Sequence, residues 1–183
     1  MWPLDGTTTA TVGAVSTGPQ LKVVIVPIAY GSDGSNRLPD LTPTQIQKYK
    51  DLLFALYPTP AVSITVRAQP VGISYAVSAS GGGWNQLLTQ VLGVRGSDAP
   101  DKDVYYYGLF NPSASFGTYC GSGCVVGLSP VITNAGDSSS RASIGVGFTG
   151  DVAAEALVHE LGHAHGRNHA PCNGAQGTDG SYP

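Results

Sequence analysis

The run His159-Glu160-Leu161-Gly162-His163-Ala164-His165-Gly166-Arg167-Asn168-His169 constrains this chain more than any other, because it asks for a helix and then a sharp return. All 4 histidines of the protein fall inside it. His159 and His163 stand at i, i+4, so on a helix both imidazoles leave one face and can grip one ion. Glu160 lies about 100° further round, where it reaches a metal-bound water without being a ligand. Gly166 lets the chain turn, since glycine takes a left-handed conformation at little cost. The turn brings His169 back as a third ligand. Three neutral imidazoles plus one water make the open tetrahedral arrangement of a catalytic zinc, not a closed structural site. A helix whose histidines merely cap or solvate it would explain neither Glu160 nor the Gly166 turn. His165, about 200° from His163, cannot face the same ion and is expected at the surface or behind the ligands. Arg167 and Asn168 read as turn residues with no catalytic part.

Residues 1–20, with Thr7-Thr8-Thr9-Ala10-Thr11 and Ser16-Thr17-Gly18-Pro19, have little to bury and no period, and read as a linker. Leu21 to Ile28 is almost continuously apolar and β-branched, as in a strand covered on both faces. Thr42-Pro43-Thr44-Gln45 opens a helix over about 43–56, with Thr as N-cap, Pro at the first position and Gln at the capping-box position. Ile46, Tyr49, Leu52, Leu53 and Leu56 form its apolar stripe. Val62, Ile64 and Val66 alternate with polar residues, predicting a half-buried strand. Ile73–Val77 is a short strand or an extended loop. A second helix is expected over about 84–92, then a loop from Arg95 to Asp103. Val104–Phe110 is an aromatic strand, its three tyrosines read as core packing rather than ligand stacking. The Gly- and Ser-rich stretch 111–150 holds a short apolar strand at 124–129 and a strand or loop at 142–148. Asp151 is expected to cap the zinc helix. This order predicts an α/β fold, helices packed on a mixed sheet.

At 183 residues the chain suits one domain that buries about 70% of its unfolded surface. Charged residues are only 11% and the net charge is −3, so no electrostatic footprint points to nucleic acid or an anionic membrane. No run approaches the eighteen or so apolar residues of a transmembrane helix. Low charge and abundant Gly, Ser and Thr lean towards a secreted protein. Met1-Trp2-Pro3-Leu4-Asp5 does not resemble a signal peptide, so a secreted protein would carry its export signal elsewhere or be longer than this chain. Cys120 and Cys124, in Cys-Gly-Ser-Gly-Cys, are close enough for a small disulfide in an oxidising compartment; two free thiols are the alternative. Cys172 is then the odd one, with a partner expected beyond residue 183.

The histidine run matches H-E-x-x-H-x-x-G-x-x-H, and in these five fixed positions the chain resembles the metzincin zinc endopeptidases. That resemblance implies a metzincin-like upper subdomain, a twisted, mostly parallel sheet packed on two or three helices with the zinc helix near the C-terminus. It implies one catalytic Zn2+ on His159, His163 and His169. It further implies peptide-bond hydrolysis in a protein or glycoprotein by a zinc-bound water that Glu160 deprotonates. The strand near 124–129 would be the antiparallel edge above the cleft, where an extended substrate adds to Val125, Val126, Gly127 and Leu128. The family's methionine turn, downstream of the third histidine, has no counterpart, since the only methionine is Met1. Residues 21–183 are therefore expected to be a catalytic domain whose lower, C-terminal subdomain is largely missing, within a longer multidomain chain. His169-Ala170-Pro171-Cys172 resembles bacterial secreted metzincins of the mucin-cleaving type. An inactive zinc-binding module acting in protein or glycan binding is the alternative, and a non-peptidase zinc hydrolase a third.

Overall fold

A computed structural model describes residues 18–172 and 174–181 of the chain. The linker expected over 1–20 thus falls, up to residue 17, outside the described residues. The elements run β1 (Leu21–Tyr30), α1 (Pro43–Leu56), β2 (Val62–Val66), β3 (Val71–Ile73), α2 (Trp84–Asp98), β4 (Val104–Phe110), α3 (Phe116–Tyr119), β5 (Gly127–Leu128), β6 (Ala142–Val146) and α4 (Asp151–Ala164). Six strands form a mixed sheet in the order β2-β1-β4-β6-β5, with β3 pairing further along β1. Every pairing is parallel except β5 with β6.

The apolar run of β1 is covered on both faces, as its composition demands. Val26 and Ile28 pack with Phe110, Ile144 and Val146 of the sheet against Trp84, Leu87 and Val91 of α2. Val23 and Ile25 face the other way, with Tyr105, Tyr107 and Leu109, against Tyr49 and Leu53 of α1 and Leu157 and Leu161 of α4. Tyr106 joins the first layer, so the three tyrosines of β4 are core residues divided between two faces. The result is α/β, helices on both sides of one sheet.

Helix α1 begins as read: Thr42 Oγ1 accepts from the Gln45 amide and Pro43 is the first helical residue. The Gln45 side chain does not close a capping box. Buried at 2% exposure, its Nε2 donates to Gly150 O at 3.0 Å, and its Oε1 accepts from Gly150 N at 2.9 Å. Gln45 therefore joins the starts of α1 and α4. The N-cap of α4 is Gly150, not Asp151, which is already helical and pairs instead with Lys48 of α1. Helix α2 runs to Asp98 rather than 92, because Arg95 is held inside, its guanidinium donating to Val104 O. It stops at Ala99, the residue before Pro100, where proline disfavours helical backbone. Residues 74–77 are loop, and β3 lies just ahead of them. The four-residue α3 was not anticipated, and the strand expected at 124–129 shrinks to β5. Val125 N–H goes instead to Ala79 O, and the Tyr119 hydroxyl donates to Val125 O, which draws that residue out of the ladder. No helix among the described residues is long and apolar enough to cross a membrane.

Candidate metal centre

Helix α4 lies on the sheet through Ala153, Ala154, Leu157 and Leu161, all at 1% exposure or less. That anchoring turns His159, Glu160 and His163 towards the cleft. The helix ends as glycine at 166 predicts. Gly166 N–H donates to His163 O and Arg167 N–H to Gly162 O, the paired bonds of a Schellman cap, with Gly166 at φ +82°. A side chain at 166 would also press within 2.7 Å of Ile132 O. The turn returns His169 to the cluster.

The three Nε2 atoms converge. His163 Nε2 lies 3.1 Å from that of His159 and 3.0 Å from that of His169, and His159 to His169 is 3.2 Å. Four-coordinate zinc with nitrogens at about 2.0 Å spaces them at about 3.3 Å, so the triangle fits. His163 Nδ1 donates to Arg167 O at 2.6 Å, and His169 Nδ1 donates to Gln176 O. Those bonds put the proton on Nδ1 and turn the Nε2 lone pair inward. Inward lone pairs this close repel unless a cation lies among them. Burial, and then the neighbouring imidazoles, hold His159 below its ordinary pKa, towards the neutral form that a metal needs.

His169 is better held than a ligand on a free loop. Its N–H bonds to Gly177 O and its O accepts from Asp179 N–H at 2.8 Å. His165 is excluded from the cluster, as its angle requires. Its ring stacks on Tyr105 at 4.4 Å and meets Tyr57 edge-on, and its Nδ1 donates to Leu161 O. Sequence reasoning gave Arg167 no part, yet its carbonyl orients His163. Backbone acceptors such as those of Arg167 and Gln176 leave no mark in side-chain identity.

Glu160 is 6% exposed, and burial pushes its pKa up to about 8. It lies against Gly127 of β5, so closely that a Cβ at 127 would come within 2.5 Å of Glu160 Oε1. Val125, Val126, Gly127 and Leu128 line one cleft of about 790 Å³ with His159, Glu160, His163 and His169. The strand is the open edge of the sheet. Gly127 pairs with Gly145, and Val146 N–H donates to Val126 O, so this is a non-hydrogen-bonded pair and the N–H and C=O of Gly127 point outward. Cys120 and Cys124 form the expected disulfide ahead of it, while Cys172 is exposed and unbonded.

No family model matches this chain, and no curated protein matches it. Among solved structures it is similar to metalloproteinase-II from Bacteroides fragilis, at 19% identity and a TM-score of 0.47. The match covers 82% of this chain and 43% of that one, so the chain spans less than half of its length. So distant a likeness adds nothing to the site, which stands on its own geometry.

Proposed function

We propose that this chain is a zinc-dependent endopeptidase of the metzincin type, with His159, His163 and His169 as ligands of one Zn2+ and Glu160 as general base. One observation carries the reading: three Nε2 atoms within 3.2 Å of one another, beside a buried carboxylate, under an open strand edge. A zinc ion held by the three histidines would supply a Lewis acid and a bound water of pKa about 7. Glu160 accepts the proton of the attacking water and passes it to the leaving amine. Burial raises its pKa in the metal-free site, and a cation beside it would favour the ionised form that accepts a proton.

The substrate is an extended peptide of a protein or glycoprotein, laid along β5 and bonded to the outward N–H and C=O of Gly127. Val126 and Leu128 flank that contact. Val125 offers only its side chain, because its N–H and C=O are engaged elsewhere. The sheet with α1 and α4 corresponds in this reading to the upper subdomain of such an enzyme. The Cys120–Cys124 disulfide suits a secreted setting, where the oxidised form persists.

The test is cleavage of an unfolded protein and of a mucin-type glycoprotein, with a chelator control. Glu160→Ala should keep one zinc per chain and lose about 10²–10⁴-fold in turnover. Alanine at any ligand histidine should lower zinc occupancy. Zinc bound tightly with no cleavage of either substrate would replace the peptidase with a zinc-holding binding module.

A further inference from the structure

The hydroxyl of Tyr107 sits in the wrong place for a simple core residue. The residue is 0% exposed, at the centre of the layer between the sheet and α4, and its Oη has no hydrogen-bond partner. A buried hydroxyl left unpaired costs about 1–3 kcal/mol, and phenylalanine would fill the same space without that cost. The Tyr49 hydroxyl in the same layer is unpartnered too, so what singles out Tyr107 is where its hydroxyl lies.

Tyr107 Oη occupies the space a side chain at Gly145 would need, 2.1 Å from where that Cβ would stand. Glu160 fills the corresponding space at Gly127, with Cγ and Oε1 both 2.5 Å from the missing Cβ. Gly127 and Gly145 are direct partners across β5 and β6. In a non-hydrogen-bonded antiparallel pair the Cβ positions are about 4.5–5.5 Å apart on the same face. The phenol and the carboxylate thus enter neighbouring vacated sites, one from each side of a paired-glycine window. Val126 O, 3.1 Å from the Gly145 Cβ position, is a further acceptor beside them. Burial raises the phenol pKa well above its usual value, and the Glu160 charge adds to this where that group is ionised, so the hydroxyl stays a donor.

We propose that Tyr107 is the positioning residue for Glu160: its hydroxyl donates through one bridging water to a Glu160 carboxyl oxygen and fixes that carboxyl from behind. The two glycines are the structural condition for this approach, since a methyl at either would occupy the space of one partner. Neither contact is visible in the H-E-x-x-H run, because Tyr107 lies on β4 and reaches the base across the sheet. The inference rests on Glu160 being the base of the proposed peptidase, but the contact itself can be tested without activity.

The experiment is a double-mutant cycle on the metal-free protein, with Tyr107→Phe, Glu160→Leu and the pair, read as urea unfolding midpoints. Tyr107→Phe should lower the midpoint when Glu160 is present and leave it unchanged or raised when Glu160 is Leu. Additive effects, or a midpoint raised by Tyr107→Phe in both backgrounds, would overturn the proposal. On the zinc-loaded protein, Tyr107→Phe should keep zinc affinity and KM while kcat falls about 10-fold or more, the usual loss when a residue supporting an active-site group is removed. A rise in KM at unchanged kcat would also overturn it. A coupled cycle in a protein that cuts nothing would sink the peptidase reading and still support the Tyr107–Glu160 contact.

Discussion

Replacing Glu160 by Gln in the metal-free protein should change how stability depends on pH. The carboxyl is buried, and its pKa rises from an ordinary 4.5 to about 8 with burial as the cause. Between those two values the folded chain holds a proton that the unfolded chain has released. Stability is therefore full below the unfolded value and lost as pH climbs through the folded one. A gap of about 3.5 units at 1.36 kcal/mol each sets an upper bound of about 5 kcal/mol. Local opening that wets the charged form would reduce this to about 2–3 kcal/mol, still a large share of a domain's stability. The histidines act at the acid end. His159 and His165 are both held below their ordinary value, burial being the first cause in each, so stability falls as pH drops below 6.5. The wild-type protein should then be most stable near the ordinary histidine value of 6.5, and Glu160→Gln should remove the decline above it while steepening the fall on the acid side. Urea unfolding in chelator over a series from about pH 5 to about pH 9 reads this directly. Zinc should remove the alkaline decline in the wild type, because the cation favours the ionised carboxylate. Parallel pH profiles for the two proteins would refute the reasoning.

Two further perturbations test how the centre is held. Gly166→Ala meets both a left-handed backbone and the Ile132 carbonyl at 2.7 Å, and should cost about 1–3 kcal/mol by urea unfolding, with a drop in zinc affinity because His163 and His169 depend on that turn. Gln45→Met keeps the volume but leaves the Gly150 N–H and C=O without partners; about 2 kcal/mol should be lost, with faster amide exchange at the first turn of α4.

The parts of the molecule that sequence made legible are those whose physics is local. An i, i+4 pair of histidines and a following glycine specify their own geometry within eleven residues, and the helix, the turn and the converging Nε2 atoms followed. The continuous apolar run at β1 likewise announced two covered faces. What escaped was decided between distant segments. Gln45 stands where a capping-box residue would, yet the chain end that offers it two well-placed backbone groups is Gly150, 105 residues away. Arg95 looks like the start of a polar loop, and only the carbonyl of Val104 on the neighbouring strand explains why the helix continues past it.

The edge strand shows how such non-local decisions bear on the site. Its apolar residues predicted a six-residue strand, but pairing survives only at Gly127 and Leu128. Upstream, Ala79 and the Tyr119 phenol take the backbone of Val125, immediately after the loop that the Cys120–Cys124 disulfide closes. That divides the edge into a segment locked to the protein and a short open segment next to the histidines. A peptide adding to this edge finds free backbone at Gly127 and not at Val125, so it is registered within reach of Glu160, whose side chain rests on that glycine. Glycine at 127 therefore serves two demands at once. It leaves room for the Glu160 side chain to lie against the sheet, and it presents its own amide and carbonyl to the cleft. A larger residue there would disturb the carboxylate even where the backbone stayed in place, which ties the proposed binding edge and the proposed base to one position in the chain.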